Sequence, residues 1–468
     1  MDVIEHGSLD YISEFGNTYN SRYFKKYLSD IKLNPITVVV EDHYIDRQYL
    51  VDYSHYYSRS FNIIPKHTTR YHFFNANFDK SDLLSWLADY NSLESWLEMN
   101  KISNLSEIYI GYIIVKPVPT NGSDRLIGRA ALRPYDGESI DEEDAHENIF
   151  VTFKQTISLY GLELSLETLP FQPQDKCVGA CASAAIWATN YSLNSLFRNP
   201  PIRSLSEITK ISSRFFETSR SFPSNGLSIE QMVQYYKQSG LDAGYCLVDP
   251  FKKDSKFVWL IIQSFIEMRN PIIGAIELMT EEGLYGRHAV VISGYRSNKE
   301  KTRIERLYVH DDQWGPFCSV KSVNGDYFYE WSYEWDKEKD STITEIKLLG
   351  LIIPYYEKIR LTPESIYKSQ IIREHISFFK SEGYELSFHL VQIKDYKKTL
   401  LEKSFNVEIY KNGIKVSDKS KIAFLTDPLP RFLWIMRAYK GGIHIMDLAF
   451  DASELYSDEL FGIFYNSL

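Results

Sequence analysis

Two thiols, one strand-end imidazole and a pair of neighbouring carboxylates carry the chemistry this sequence offers. Cys177 and Cys181 stand one helical turn apart in Gln-Pro-Gln-Asp-Lys-Cys-Val-Gly-Ala-Cys-Ala-Ser-Ala-Ala-Ile-Trp, residues 172–187. The thiolate is the nucleophilic form of cysteine. It is favoured where a helix begins, because the first-turn N–H groups are unpaired and the helix dipole is positive there. Pro170 and Pro173 keep the chain upstream extended or turning. From there Cys177, Cys181, Ala184, Ala188 and Tyr191 recur at helical spacing. The pattern predicts a helix from Cys177 onward, with Cys177 at its entrance and Cys181 one turn inside. A small buried cysteine at a tightly packed helix start is the other reading of the same residues.

A cysteine nucleophile needs a base, usually histidine, and a third group to orient that base. There are 11 histidines, and His288 stands apart because it opens the apolar run Ala-Val-Val-Ile of residues 289–292. A rigid strand end is a good mount for an imidazole at a cleft. The next strand ends in His310-Asp311-Asp312-Gln313-Trp314-Gly315-Pro316. If the two strands are neighbours, Asp311 or Asp312 lies beside His288 and favours its charged form. An exposed Asp-Asp turn before Gly-Pro is the competing reading. By residue type Cys177, Cys181, His310 and Cys318 could hold zinc, but the separation of His310 and Cys318 is loose for a zinc knuckle. No metal site and no cofactor is expected.

The elements that would carry these residues follow from periodicity. Residues 205–218 and 257–268 read as helices. Ser228 with Gln231 makes a capping box for a helix whose apolar face is Ile229, Met232, Val233 and Tyr236, closed by Gly240. Beyond Pro271 the period changes, and residues 272–278, 289–295, 307–310 and 346–353 read as strands. Helices first and strands second predict an α+β domain, a helical half packed on an antiparallel sheet half. Before it, residues 36–40, 108–115 and 126–132 read as strands, 80–99 as a helical stripe broken near residue 91, and 150–164 as one or two strands. Asn121–Asp124 is a turn, and residues 136–147, with seven acidic side chains, a solvated loop. After it, 363–380 reads as helix, 385–393, 405–410 and 432–437 as strands, and Lys411-Asn412-Gly413 as a hairpin turn.

The whole chain sets further bounds. With 468 residues, 44% apolar and 24% charged, it predicts two or three globular domains. We expect residues 1–165 as an N-terminal mixed α/β domain, 166–354 as the domain carrying the chemistry, and 355–468 as a C-terminal domain or extension. A net charge of -10 argues against nucleic acid as partner. No apolar run reaches the ~18 residues of a membrane span, and the N-terminus lacks the basic and apolar regions of a signal peptide. A cytoplasmic, membrane-free protein is the expectation. Four cysteines do not make a disulfide framework, which fits a reducing compartment.

Taken together, the three pieces resemble the papain-like cysteine peptidase superfamily over residues 169–353, in the order Cys, His, acid. Cys177-Val178-Gly179-Ala180-Cys181 resembles the nucleophile motif of the bacterial bacteriocin-processing peptidases, and Gly286-Arg287-His288-Ala289-Val290 their histidine strand. Asp312-Gln313-Trp314-Gly315 resembles the Asn-Ser-Trp-Gly of papain-type enzymes, with Asp in the Asn place. The resemblance implies a papain-like core with Cys177 as nucleophile, His288 as base and Asp312 as the group that orients it. It implies that Gln172 helps bind the oxyanion. That residue stands one position nearer to Cys177 than is usual, so Gln174 is the alternative. Cys181 remains the rival nucleophile. The implied activity is cleavage of a peptide or isopeptide bond in a protein or peptide substrate, with acyl transfer or a silent binding module as alternatives. The flanking domains would position substrate or a protein partner.

Overall fold

β-Branched and aromatic runs build the N-terminal part into a five-stranded antiparallel sheet. Its strands, in spatial and chain order, are β1 (Asp2–Glu5), β2 (Thr37–Tyr44), β3 (Thr68–Phe74), β4 (Tyr109–Lys116) and β5 (Leu126–Leu132). The computed structural model describes residues 1–5, 15, 19–29, 33–119, 125–135, 147–174, 180–214, 226–248, 255–297, 304–323, 329–333, 343–411, 414–454 and 459–465. The turn read at Asn121–Asp124 and nearly all of the acidic stretch 136–147 lie outside them. The strands read at 36–40, 108–115 and 126–132 are β2, β4 and β5. β3 escaped the reading because Arg70 and His72 interrupt its apolar pattern. Both are buried against polar partners: Arg70 Nε donates to Glu41 Oε2 at 2.7 Å, and His72 Nδ1 meets the Tyr109 hydroxyl at 2.9 Å. The helical stripe over 80–99 breaks at Asp89, which ends one helix (Lys80–Ala88) and caps the next (Tyr90–Met99) by accepting from the Asn91 N–H at 3.1 Å.

β6 (Glu147–Phe150) leaves this part to join a later strand, and β7 (Phe153–Leu159) and β8 (Leu162–Thr168) form a hairpin. Then come four helices, Cys181–Phe197, Leu205–Ser212, Ile229–Gln238 and Ser255–Glu267. The capping box at Ser228 forms, with the Gln231 side chain accepting from the Ser228 N–H at 2.9 Å. The first of these helices starts at Cys181, four residues later than periodicity suggested. Its N-cap is Ala180 in extended conformation, whose N–H donates to Ser183 Oγ at 3.0 Å.

The sheet half follows as β9 (Asp242–Leu247), β10 (Ile272–Thr280), β11 (Gly283–Ser297), β12 (Ile304–Asp311), β13 (Gly315–Ser322), β14 (Glu330–Tyr333) and β15 (Glu345–Tyr355). Each is antiparallel to its neighbour, and β10 pairs with both β11 and β15, so β10 to β15 close into a ring. β6 extends it at β11 and β9 at β15. The four expected strands are β10, β11, β12 and β15. The helix Cys181–Phe197 packs on β11 and β10, which brings its start to the sheet.

The C-terminal part is a six-stranded antiparallel sheet of β16 (Glu385–Gln392), β17 (Phe405–Lys411), β18 (Ile414–Lys419), β19 (Phe432–Lys440), β20 (Ile443–Asp451) and β21 (Glu459–Tyr465), in the order β16-β19-β20-β21-β17-β18. β17 and β18 pair with Lys411 opposite Ile414, while Asn412 and Gly413 of the turn lie outside the described residues. The helix read over 363–380 is two helices, Pro363–Lys368 and Gln370–Ser381, separated at Ser369, which caps the second. Among the described residues, no helix is long and apolar enough to cross a membrane.

One apolar core runs from Phe15 to Ala452 through all three parts. Where the C-terminal sheet meets the helix Ser255–Glu267, the contact is polar as well. Ser264 Oγ donates to the Phe388 carbonyl at 3.0 Å, the Tyr295 hydroxyl donates to Glu267 Oε1 at 2.7 Å, and His389 Nδ1 bonds Glu267 Oε2. Burial alone would raise the Glu267 carboxyl, but the His389 ring, the Tyr295 hydroxyl and the Arg437 charge bring it down to about 2. A carboxyl held down in this way stabilises the fold above its unfolded value of 4.5, and that contribution fades as pH falls toward about 2. Glu267→Gln should therefore cost on the order of 2 kcal/mol near neutral pH. In calorimetric melts the gap in Tm between wild type and variant should hold from about pH 7 to about pH 5 and narrow below that as the buffer is taken toward about pH 3. A gap that does not change with pH would mean the charge of Glu267 does not fasten the last sheet to the core.

Candidate active site

His288 lies on β11 directly opposite Ile276 of β10, near the start of the buried half of the strand. Its ring is buried, with Nε2 at 2.9 Å from Asp311 Oδ1 and 3.4 Å from Asp312 Oδ1. The Cys181 thiol lines the same cleft as this ring and helps to favour its charged form. Helix start, strand β11 and the end of β12 thus meet at one imidazole. First-turn N–H groups have no acceptor within their own helix, so those of Cys181 and Ala182 are available beside the thiol.

The two carboxylates differ in their surroundings. Asp311 Oδ1 accepts from His288 and from the Gln313 N–H at 2.9 Å, and Oδ2 accepts from the Tyr333 hydroxyl on β14 at 2.5 Å. Neither oxygen of Asp312 has a hydrogen-bond partner among the described residues. Burial raises both carboxyls. For Asp311 the His288 charge and the hydrogen bonds from His288, Tyr333 and Gln313 reverse the effect and hold it below the usual carboxylate range. For Asp312 burial prevails, the Asp311 charge adds to it, and the carboxyl is pushed up to about 7. Burial would likewise discharge His288, but the Asp311 and Asp312 charges, the hydrogen bond it donates to Asp311 and the nearby Cys181 thiol raise it well above its ordinary value.

The turn that carries these carboxylates is braced by the helix Tyr19–Leu28, far away in sequence. Asn20 Nδ2 donates to the carbonyls of Asp312 and Trp314 at 3.2 and 2.7 Å, and the Tyr23 hydroxyl donates to the Pro316 carbonyl at 2.5 Å. The Tyr23 ring lies so close that a Cβ on Gly315 would come within 2.1 Å of it. Only glycine fits there.

The arrangement bears on three expectations. The thiol that reaches His288 is Cys181, while Cys177 lies outside the described residues. The reason for preferring Cys177 was its place at a helix entrance, and that entrance belongs to Cys181. The carboxylate that holds His288 most closely is Asp311 rather than Asp312, because Asp311 carries the shorter contact and the supporting donors. Gln172 does not reach this site. Phe171 forms a β-bridge with Ala130, and Gln172 beside it lines a separate small cavity with Asp46, Gln48 and Arg129. Gln174 is half-buried, with residues 175–179 between it and the helix. Tyr333, Asn20 and Tyr23 were not foreseen. The spacing of Tyr19, Tyr23, Phe24 and Tyr27 is a legible helical stripe, but nothing in the sequence places it against the acid turn.

A cleft of about 430 Å³ opens in front of Cys181 and His288. Leu227, Met232, Tyr245, Leu247, Ile276 and Leu349 make its walls largely apolar, and Arg287, paired with Glu277 at 3.1 Å, stands beside them. A half-buried thiol beside a buried imidazole and carboxylate on such a cleft has the parts of nucleophilic acyl chemistry. Among the described residues, His288, Asp311 and Asp312 form a group whose ligand atoms all lie within 4.8 Å and could hold a metal ion. His310 and Cys318 are not in that group. The His310 ring packs edge-on against Phe317 with centroids 4.5 Å apart, and the Cys318 thiol donates to the Gly315 carbonyl at 3.3 Å. Compared with known proteins, the chain matches no protein-family model and no curated protein sequence.

The two carboxylates can be separated by experiment. Alkylation of Cys181 by iodoacetamide, followed by peptide mass mapping, should slow by at least about tenfold in Asp311→Ala, because the imidazole loses its tether. Asp312→Ala should stay within about threefold of wild type, since among the described residues the Asp312 side chain makes no hydrogen bond that its loss would break. The reverse pattern would return the orienting role to Asp312.

Proposed function

We propose that the chain is a thiol hydrolase of papain-like type that cleaves a peptide or isopeptide bond. The observation that carries this reading is one imidazole held between a helix-start thiol, Cys181, and a buried carboxylate, Asp311, on the wall of a cleft. A helical half carrying the thiol against a closed antiparallel sheet carrying the histidine and acid is the division of labour of papain-like enzymes. It appears here in the same chain order, cysteine, histidine, acid.

The chemistry follows from the geometry. With its Nε2–H donated to Asp311, His288 holds the proton drawn from the thiol on Nδ1, and the carboxylates that favour its charged form favour a resting thiolate–imidazolium pair. The Cys181 sulfur attacks the carbonyl carbon, and the first-turn N–H groups receive the oxyanion. His288 returns the proton to the departing amine as the C–N bond breaks. Water then attacks the thioester, giving the acid and the free thiol. Gln172 has no part in this sequence, so oxyanion binding falls to backbone donors. The substrate is a protein or peptide whose apolar side chains enter the cleft.

Release of peptides from casein, measured with and without iodoacetamide, tests the activity. Cys181→Ser should abolish it with an unchanged Tm, His288→Ala should cost at least about a hundredfold in kcat/KM, and Cys177→Ser should keep most of it. An active Cys181→Ser variant beside an inactive Cys177→Ser variant would move the nucleophile one turn upstream. Product appearing only when an amine is added would make the enzyme an acyl transferase, and no iodoacetamide-sensitive turnover of any kind would leave a binding module.

A further inference from the structure

A second concave site lies on the C-terminal sheet, and its chemistry differs from that of the cleft. The helix Gln370–Ser381 lies over the sheet and leaves a cavity of about 570 Å³. Five rings wall it: Phe378 and Phe379 from the helix, Tyr384 just beyond it, Tyr410 of β17 and Phe464 of β21. Glu374 and Glu382 stand at its rim, each one helical turn from Phe378, so that the two carboxylates flank this ring. Phe378 is 59% exposed, whereas Ile372 and Phe379 of the same helix are buried.

We propose that this cavity binds an organic ammonium ion that carries an apolar body. The volume falls within the range of small-molecule sites, and the walls are aromatic with few polar groups, as such sites require. Ring faces carry negative potential and attract a cation, and they attract it more strongly when the cation is partly desolvated. The two carboxylates add charge of the same sense and would repel an anion. Around the cavity the chain already makes one such contact: the Lys440 ammonium lies 4.9 Å from the centroid of the Tyr384 ring. His375, next to Glu374 on the same helix, also lines the cavity, so the carboxylates of Glu374 and Glu382 stand at the rim against one ammonium and one imidazole. The Tyr410 hydroxyl donates to Glu408, which fixes the ring as a wall, and Glu408 itself is paired with Lys415 at 2.7 Å. The Gln370 amide donates to Glu374 Oε1 at 2.9 Å and holds that carboxylate in place. An apolar body would cover Phe378, which the fold leaves open. None of these residues lines the cleft at Cys181, so the site stands independently of the hydrolase reading.

Three ligands with one body and different heads test the proposal by calorimetric titration of the full chain: 4-phenylbutylammonium, 4-phenylbutanol and 4-phenylbutanoate. The ammonium should bind at least about tenfold tighter than the alcohol, as expected for a cation over aromatic faces, and the carboxylate weakest of all. Glu374→Gln with Glu382→Gln should bring the ammonium down to the level of the alcohol while the alcohol is unaffected. Phe378→Ala should weaken both. Prior alkylation of the thiols with iodoacetamide should change none of these affinities. The proposal falls if the ammonium gives no heat, if the alcohol or the carboxylate binds as well as the ammonium, or if the glutamine substitutions leave the preference intact. It also falls if alkylation removes the binding, which would place the ligand in the cleft, or if sedimentation shows a dimer that Phe378→Ala dissociates, which would make a second copy the occupant.

Discussion

Placing two adjacent carboxylates and an imidazole in the interior, away from water, is the constraint that the rest of the structure answers. Each of these groups ionised and alone would be costly to bury, and the cost is offset only where partners are supplied in good geometry. Asp311 receives His288, the Gln313 N–H and the Tyr333 hydroxyl. Among the described residues the Asp312 carboxylate receives no hydrogen bond, and burial beside Asp311 pushes it up to about 7. The pair therefore settles into unequal roles, one charged and tethered, one close to neutral. His288 keeps its charge because at least one carboxylate beside it stays ionised.

That arrangement needs strands held in register, and ring closure supplies it. β10 pairs on both edges, with β11 and β15, so β11 is held between β10 and β12 and cannot slide without breaking the ring. A slip of one residue would turn His288 to the opposite face. The acid turn between β12 and β13 lies beyond the ladder and is steadied from outside by Asn20 and Tyr23. This is why the N-terminal segment cannot be regarded as an appendage. Its helix Tyr19–Leu28 completes the support of residues nearly three hundred positions later, and the apolar core that runs from Phe15 to Ala452 passes through the same contact.

The elements with strong periodicity were legible. The strands that became β10, β11, β12 and β15, the capped helix Ile229–Gln238 and the strands β4 and β5 carry patterns that tertiary context reinforces rather than overrides. Cysteine, histidine and acid could be picked out as types at three places in the chain. What could not be read was their parity. His310 and Asp311 point to opposite faces of β12, one toward Phe171 and Phe317 and one toward His288, and a register irregularity between Val309 and Asp311 breaks simple counting. The helix start was misplaced for a related reason. The periodic run from Cys177 continues across Ala180, where the chain is still extended, and the only cap signal is the weak one of Ser183 bonding back to the Ala180 N–H. β3 carries buried polar residues whose partners lie on other strands, and β14 is only four residues long, so their sequences read as irregular. A single chain does not contain the pairing information that would correct this.

The helix Ser255–Glu267 gives the architecture its last link. One flank packs on β11 and β10, the strands behind His288, and the other on β16. Glu267, near its C-terminal end, bonds Tyr295 of β11 and His389 of β16 at the same carboxylate. A negative side chain at a helix C-terminus opposes the dipole and is unfavourable by itself. It persists here because three protein donors, Gln263, Tyr295 and His389, and the Arg437 charge satisfy it. The strand that carries His288 and the sheet that carries the aromatic cavity are therefore fastened to opposite oxygens of one half-buried carboxylate. Motion of the last sheet against the core would have to break that junction first. The cavity and the cleft are consequently held on one rigid frame, and the geometry around Cys181 and His288 is preorganised by the same contacts that keep the C-terminal sheet in place.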